Sequence, residues 1–212
     1  EIGPSVMFSP PRVWENLAAS VQVKVMDASA LKRFAFNRAM PIGVRMADCR
    51  FEKKPPSLGL RLAYQVAYWG VFRALRDRLG FSRLRSASTG GAALGRDTFR
   101  FFHALGVNLK QIYGQTEISG ISCIHRSGDV NFDSVGKPIP GTEIRIAENG
   151  EILSRSKSVF TGYYKNDAAT MDVLKDGWLH SGDAGYFTAD GQLVVIDRLK
   201  DVMKLADGTQ FS

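Results

Sequence analysis

The stretch that decides the fold is residues 86–113, SASTGGAALGRDTFRFFHALGVNLKQIY. It opens with a turn of small residues, Ser86 to Gly91, which follows a strand. Apolar residues then recur at helical spacing from Phe99 to Leu105, and Gly106 ends that helix. Val107 to Ile112 form the next strand. The order strand, turn, helix, strand predicts an α/β fold with parallel strand pairing.

The composition of the whole chain is that of a globular protein. It has 212 residues, of which 44% are hydrophobic and 23% charged, and this excludes whole-chain disorder, collagen-like repeats and coiled coil. Cys49 and Cys123 lie 74 positions apart and form no CxxC pair, which argues against a zinc knuckle or a disulfide framework and fits a reducing compartment. The longest charge-free apolar run, Leu62 to Phe72, has eleven residues, whereas a membrane span needs ~20. With no signal-like N-terminus, we expect a cytoplasmic protein.

The net charge of +7 is distributed unevenly. Residues 24–85 contain fourteen Lys or Arg against four Asp or Glu, while the rest of the chain contains fourteen against seventeen. Such an excess predicts an acidic partner, namely phosphate groups, an anionic membrane surface or nucleic acid; the alternative is a solvated helical face. No aromatic residues alternate with the basic ones at a readable spacing, so we expect no nucleic acid. Peripheral contact of region 24–85 with the inner membrane surface stays open.

Two different patterns divide the chain near residue 134. The first part is mostly helical up to residue 85, with a helix after Pro10-Pro11 and another from Leu60 to Leu79 that ends at Gly80. The second part alternates apolar and polar residues around Asn149-Gly150 and Asp190-Gly191, which predict β-hairpins. We therefore expect a parallel α/β subdomain, 1–133, with a helical insertion at about 24–85, followed by a smaller antiparallel β subdomain, 134–199.

Chemistry-bearing residues follow the strand at Val107 to Ile112. Tyr113 offers a flat ring to a nucleobase, and Gly114 lets the backbone turn close to a ligand. Thr116 offers a hydroxyl to a phosphate oxygen, and Glu117 a hard oxygen to Mg²⁺. On these residues alone, an ordinary strand-to-helix turn with a capping Thr is the alternative.

Two further segments could contact a nucleotide. Small residues at Gly90 to Ala93 would leave room for a flat ring against bare backbone, although a Gly-Gly pair is also a common plain turn. Asp183, in GWLHSGD (177–183), could accept both hydroxyls of a ribose, with Arg198 donating to the same sugar. The alternative is a salt bridge between Asp183 and Arg198 across a hairpin.

Taken in order, these segments resemble the adenylate-forming superfamily, and specifically the long-chain acyl-CoA synthetases. The matching stretches run through most of the chain and lie in family order; they are 6–17, 90–93, 113–117, 134–141, 160–166 and 197–201. The resemblance implies that the chain is an internal piece of the N-terminal domain of such an enzyme. It also implies that residues 200–212 form the hinge and the start of a C-terminal domain.

The resemblance implies a role for each matching residue. Tyr113 would stack on adenine, whose edge Gly91, Ala92 and Ala93 would line, while Gly114 lets the backbone approach. Thr116 would bind phosphate and Glu117 would hold Mg²⁺, both as catalytic residues. Asp183 and Arg198 would bind the ribose. Lys200 corresponds to the catalytic hinge residue, and Lys204 to a lysine that faces phosphate.

The implied activity is ATP-dependent activation of a long-chain fatty acid to an acyl-adenylate, and then to the CoA thioester. ATP and AMP, the fatty acid and CoA would be its small-molecule partners, and Mg²⁺ its cofactor. We expect the phosphate loop with its lysine before this chain and the C-terminal catalytic lysine after it, so the chain alone should be inactive. The alternatives are an aryl-CoA ligase, an adenylation domain, or a non-catalytic segment that binds nucleotides or anions.

Overall fold

The computed structural model of the protein describes residues 3–201, 203–204 and 210–211. The chain divides into two compact units, Glu1–Gln111 with Ser127–Phe132 and Ile112–Arg126 with Asp133–Ser212. Helices and a parallel sheet in the first unit, and antiparallel strands in the second, confirm the predicted fold class. The division into residues 1–133, 134–199 and 200–212 stays a prediction about subdomains.

The first unit builds its sheet from strands that are distant in sequence. Its elements are β1 (Val6–Ser9), α1 (Pro11–Met26), α2 (Ala30–Phe51), α3 (Leu58–Ala67), a π-helical turn (Tyr68–Phe72), α4 (Arg73–Arg78), β2 (Ser86–Thr89), α5 (Arg96–Ala104) and β3 (Leu109–Tyr113), which ends in the second unit. Strand β2 pairs in parallel with β1, where Val6 lies opposite Ser86, and with β3, where Ala87 lies opposite Leu109. The predicted parallel pairing is confirmed.

The prediction of a turn over Ser86 to Gly91 is wrong for its first four residues. Ser86–Thr89 form the central strand β2, in which Ala87 and Thr89 are fully buried. A strand between two neighbours can bury small side chains, but small residues give no apolar alternation by which to detect it. Only Gly90-Gly91 turns the chain, and Gly91 has a φ of +89°.

The helices of the first unit begin and end largely where the sequence signals predict. Helix α1 has Pro11 in its first turn, and the side chain of Ser57 accepts a hydrogen bond from the Leu60 amide at the start of α3. Gly80, with a φ of +76°, follows α4 and ends the run of helix. No helix within the described ranges is long and apolar enough to cross a membrane.

The core of the first unit is aromatic. Trp14 of α1 lies edge-on to Phe102 of α5, with ring centroids 4.9 Å apart, and both are fully buried. Gly43 lets α2 approach this layer closely, since a Cβ there would lie 2.9 Å from the Phe72 ring and 3.0 Å from Ala104. Any larger residue at Gly43 would separate the helices.

The second unit is formed mainly by antiparallel strands. After the end of β3 its elements are β4 (Cys123–Ile124), β5 (Lys137–Pro138), β6 (Thr142–Ile146), β7 (Glu151–Ser156), α6 (Asp167–Val173), β8 (Leu174–Lys175), β9 (Trp178–Phe187), β10 (Leu193–Arg198), β11 (Met203–Lys204) and β12 (Gln210–Phe211). The main sheet has the order β10-β9-β7-β6, with β8 beside β9. The predicted hairpins at Asn149-Gly150 and Asp190-Gly191 join β6 to β7 and β9 to β10.

An irregularity in β10 sets the alignment of two predicted site residues. The register with β9 shifts between Val195 and Asp197, so that Arg198 lies directly opposite Asp183. Directly opposed residues in an antiparallel pair point to the same face of the sheet. Near this shift the strands are close, because a Cβ at Gly185 would lie 2.4 Å from the Val194 carbonyl oxygen.

Candidate nucleotide-binding site

A tight turn after β3 positions the predicted phosphate and metal residues. Gly114 has no alternative there, because a Cβ would lie 2.0 Å from the carbonyl oxygen of Gly120. The Gln115 carbonyl accepts hydrogen bonds from the amides of Ile118 at 3.2 Å and Gly120 at 3.0 Å. These bonds close a short 3₁₀ turn, Thr116–Ile118, and hold the backbone that carries Thr116 and Glu117.

The carboxylate of Asp183 is the centre of a hydrogen-bond network. Its Oδ2 accepts from the Tyr113 hydroxyl at 2.7 Å and from Nε2 of Gln115 at 3.0 Å. Its Oδ1 pairs with Nη1 of Arg198 at 3.0 Å. Gln115 also donates to the Ser181 carbonyl at 2.8 Å. The salt bridge considered as an alternative is therefore present, and two further donors reinforce it.

The electrostatics of this network are asymmetric. The side chain of Asp183 is 11% exposed, whereas that of Arg198 is 56% exposed. Burial, followed by the negative charge of Asp183, raises the pKa of the Tyr113 hydroxyl well above its ordinary value. Tyr113 therefore stays protonated and donates, while Arg198 keeps donor groups toward solvent.

A second carboxylate, Glu117, is held by a tyrosine. The Tyr163 hydroxyl donates to Oε1 of Glu117 at 2.7 Å, and the Phe160 amide donates to the Glu117 carbonyl at 2.8 Å. The hydrogen bond between the Tyr163 hydroxyl and the Glu117 carboxylate, with a smaller contribution from burial, raises the pKa of Tyr163. The Tyr163 amide in turn donates to Oγ1 of Thr170 at 2.9 Å. The loop before α6 thus supports the turn after β3.

These groups border one cleft of about 440 Å³ within the second unit. The polar side chains that line it are Gln115, Thr116, Glu117, Tyr163, His180 and Arg198, and Gly114 and Ser181 contribute to its wall. A wall of hydroxyl, amide, carboxylate and guanidinium groups suits a polar, charged ligand. Tyr113 and Asp183 are attached to this wall by their hydrogen bonds to Gln115 and Arg198.

Sequence reasoning missed the partner of His180. Glu151, which is buried in β7, accepts from Nδ1 of His180 at 2.9 Å through Oε2 and from the Gly182 amide at 2.9 Å through Oε1. Gly182 has a φ of +67° and precedes Asp183. Glu151 therefore supports the backbone that presents the Asp183 carboxylate. The only sign of Glu151 in the sequence is an acidic residue at a strand position whose side chain is expected to face the core.

Other predicted site residues are not among those that line this cleft. Gly91, Ala92 and Ala93 belong to the first unit, where they are exposed after β2. Lys200 is exposed in a 3₁₀ turn, Leu199–Asp201, two residues after Arg198. Lys204 lies in β11, and its side chain is outside the described part of the structure. The roles assigned to all these residues stay predictions.

The residues present fit a magnesium–nucleotide complex better than a free metal ion. Within the described residues, no group of three or more His, Cys, Asp or Glu side chains could hold a metal. Mg²⁺ is commonly bound by one or two carboxylates together with substrate phosphates. Glu117 could serve as such a carboxylate, since in the described part of the chain its Oε2 accepts no hydrogen bond, and Thr116 beside it is exposed.

Comparison with known proteins identifies the family. A family model described as AMP-binding enzyme matches residues 1–164. The chain belongs to the AMP-binding enzyme family. The matched residues include the turn of Gly114 and Glu117 and reach Tyr163, so five of the ten residues that line the cleft lie inside the AMP-binding match. The resemblance inferred from the sequence is confirmed.

Individual relatives agree with the AMP-binding assignment. The chain is 35% identical over 205 residues to the long-chain-fatty-acid–CoA ligase FadD15 of Mycobacterium tuberculosis, covering 97% of this chain and 34% of that protein. It is similar to the anthranilate CoA ligase AuaEII in complex with anthranoyl-AMP (27% identity, TM-score 0.56, 61% of this chain and 27% of that one).

The O-succinylbenzoate coenzyme A synthetase MenE of Bacillus subtilis, solved with ATP and magnesium, is also similar (26% identity, TM-score 0.54, 60% of this chain and 29% of that one). The chain spans about a third of the length of the curated relatives it matches, 38% in one case and 34% in another. The comparisons therefore agree on the AMP-binding enzyme family, and the relatives named here are CoA ligases or a CoA synthetase.

Proposed function

We propose that the protein carrying this chain activates a long-chain fatty acid with ATP and transfers the acyl group to CoA. The observation that carries the proposal is the cleft that joins the turn of Thr116 and Glu117 to the network of Asp183 and Arg198. One side offers hard oxygens and the other a carboxylate beside a guanidinium. Together they suit the phosphate and the ribose of one nucleotide.

The ribose end of the proposed site depends on the hydrogen-bonding positions that Asp183 and Arg198 still have free for a ligand. A carboxylate has about four acceptor positions, and Asp183 uses two on Oδ2 and one on Oδ1. A further position on Oδ1 can accept from one ribose hydroxyl. Arg198, which is more than half exposed, can donate to the same sugar through its other guanidinium nitrogens.

The phosphate end depends on Thr116 and Glu117. The Thr116 hydroxyl would donate to a phosphate oxygen, and Glu117, oriented by Tyr163, would hold Mg²⁺ through its open oxygen. Mg²⁺, when bound, neutralises negative charge on the phosphates. Tyr113, whose hydroxyl is fixed on Asp183, would offer its ring to adenine.

The fatty-acid substrate is supported by the 35% identity to a long-chain-fatty-acid–CoA ligase. An aryl acid is the second candidate, because a structural neighbour is an anthranilate CoA ligase in complex with anthranoyl-AMP.

The same proposal places the protein in the cytoplasm, with region 24–85 in peripheral contact with an anionic membrane surface. Its support is the charge excess of that region, and co-sedimentation with anionic vesicles tests it.

Pyrophosphate release by the full-length protein distinguishes the substrates. With ATP and Mg²⁺, we expect kcat/KM for palmitate to exceed that for anthranilate at least tenfold. The reverse order would establish the aryl-CoA ligase, and no release with either acid would favour a non-catalytic nucleotide-binding protein. Pyrophosphate release by the 212-residue chain alone should stay at background. The phosphate-loop lysine and the C-terminal lysine are expected outside this chain, and loss of one preorganised charge-stabilising group costs about 10²–10³ in rate.

A further inference from the structure

The first unit contains an open cavity that is separate from the residues of the proposed nucleotide site. It has a volume of about 590 Å³ and lies between α1, the first turns of α2, and the helix that runs from the π-helical turn into α4. Small-molecule sites commonly have volumes of about 300–1,000 Å³. None of its lining residues lines the cleft of Glu117 and Arg198, so the inference does not rest on the proposed nucleotide site.

The walls of the cavity are mainly hydrocarbon. The large apolar side chains that line it are Val21, Val25, Phe36, Val71, Leu75 and Leu79. The space between them is open because Ala28, Ala35, Gly70 and Ala74 are small. A Cβ added at Gly70 would meet nothing within 4 Å. An alkyl chain is the kind of group that such walls desolvate favourably.

The charges at this cavity all have the same sign. Lys24, Lys32 and Arg78 line it, and no Asp or Glu does. The acidic residues nearest in sequence, Asp27 and Asp77, are exposed and are not part of the lining. Across the described ranges, none of the three cations forms a salt bridge. An apolar cavity lined by three uncompensated cations is complementary to a ligand with an alkyl chain and an anionic head group.

We propose that this cavity binds an anionic single-chain amphiphile. Its alkyl chain lies between α1 and the π-helical turn, and its head group is bound by Lys24, Lys32 and Arg78. Fatty acids and lysophospholipids share this chemistry, one with a carboxylate and the other with a phosphate. Occupancy would join α1, α2 and α4 through a common ligand and would stabilise the first unit by mass action.

A fluorescent fatty-acid probe tests the proposal on the 212-residue chain. We expect 11-(dansylamino)undecanoate to bind saturably with one site per chain, below its critical micelle concentration. Palmitate or palmitoyl lysophosphatidate should displace it, and the stronger competitor identifies the head group. Monopalmitin, which is uncharged, and inorganic phosphate, which has no alkyl chain, should not. Displacement by monopalmitin as effective as by palmitate would overturn the proposal, as would the absence of saturable binding.

Matched variants locate the site. The double change Lys32→Glu with Arg78→Glu should weaken probe binding at least tenfold, whereas Arg61→Glu, a charge reversal on exposed α3 outside the cavity lining, should leave it unchanged. Ala74→Phe, at an exposed position, should abolish binding by filling the cavity. Circular dichroism confirms that each variant is folded. Equal weakening by Arg61→Glu, or undiminished binding by folded Ala74→Phe, would contradict the assignment.

A second copy of the chain is the competing occupant of this cavity. Sedimentation would then show a dimer that Ala74→Phe dissociates, and the probe would not bind. That result would overturn the proposal. A monomer that binds the probe saturably supports it.

Discussion

The Tyr113 hydroxyl donates a 2.7 Å hydrogen bond to Oδ2 of Asp183, a residue seventy positions later in the chain. Tyr113 ends β3, and Asp183 lies in the long strand β9. Because Asp183 also pairs with Arg198 at 3.0 Å, its carboxylate is part of the scaffold of the cleft as well as a candidate ligand for ribose. A change at this carboxylate should therefore alter both stability and nucleotide binding.

Removing the Tyr113 hydroxyl should destabilise the chain. Tyr113→Phe deletes a hydrogen bond to a buried charged group, and such bonds are worth about 1.5–3 kcal/mol. We expect the free energy of unfolding, measured with urea, to fall by about that amount. Tyr186→Phe is the control, because Tyr186 is exposed in the same strand β9 and should change stability by less than about 0.5 kcal/mol. Equal stabilities of the two variants would show that the hydrogen bond contributes nothing.

Neutralising Glu117 should affect nucleotide binding and leave stability almost unchanged. In Glu117→Gln the amide oxygen can still accept from Tyr163, but the charge that attracts Mg²⁺ is lost. We expect the factor by which Mg²⁺ increases the ATP affinity of the full-length protein to be about tenfold smaller in the variant than in the original protein, which corresponds to about 1.4 kcal/mol. Calorimetric titration with and without Mg²⁺ measures the difference, with Glu148→Gln, an exposed carboxylate in the β6–β7 turn, as the control. An unchanged magnesium effect would remove Glu117 from the metal site.

Glu151 should act as a positioning residue for Asp183. Glu151→Ala removes the acceptor of His180 and of the Gly182 amide, and leaves two partly buried donors without that acceptor at a cost of about 1 kcal/mol. We expect a lower free energy of unfolding and weaker AMP binding by the full-length protein. Glu151→Gln keeps an acceptor for Gly182 and should restore most of the AMP affinity. If Glu151→Ala binds AMP normally, its role is structural alone.

The stability of the first unit should fall as the solution becomes acidic. Burial lowers the pKa of His103 from 6.5 to about 4, whereas an unfolded chain protonates its histidine near pH 6.5. Since the unfolded state binds more protons between these values, the stability from His103 is complete above pH 6.5. It declines as the pH falls toward 4, by up to about 3 kcal/mol.

The variant His103→Phe tests this dependence. Phenylalanine keeps a ring beside Phe99, whose centroid lies 5.0 Å from that of His103, but it cannot take up a proton. We measure the free energy of unfolding with urea at pH 7.5 and at pH 5.0. Its decrease between these two pH values should be about 2 kcal/mol larger in the original chain than in the variant. Equal decreases would mean that another group carries the dependence on pH.

Local sequence signals predicted most of the fold. The Asn149-Gly150 turn places β6 and β7, and Gly80 follows α4 and ends the helical run. These features depend on residues within a few positions of one another. Strand β2 escaped detection, because Ser86–Thr89 consist of small residues whose burial depends on β1 and β3, strands distant from it in sequence.

The candidate site was predictable as a set of residues but not as a network. The sequence pattern and the family resemblance pointed to Glu117, which lines the cleft, and to Asp183, which does not line it but accepts a hydrogen bond from Gln115 in its wall. Their partners Tyr163 and Gln115 were not predicted, since these contacts join positions 46 and 68 residues apart. Asp183 was considered either as a ribose ligand or as the partner of Arg198. Its side chain is only 11% exposed and pairs with Arg198, so its loss should also lower stability.

The most direct test of the proposed nucleotide site is calorimetric titration of AMP into the full-length protein with Asp183→Ala. Tyr113→Phe serves as the control, since it disturbs the same network but keeps the carboxylate. We predict that Asp183→Ala weakens AMP binding by about 10- to 10²-fold while Tyr113→Phe weakens it less than tenfold, because the hydrogen bond from a ribose hydroxyl to a charged acceptor is lost only in the first. Unchanged AMP affinity in a folded Asp183→Ala protein would contradict the account and make Asp183 a residue of the scaffold alone.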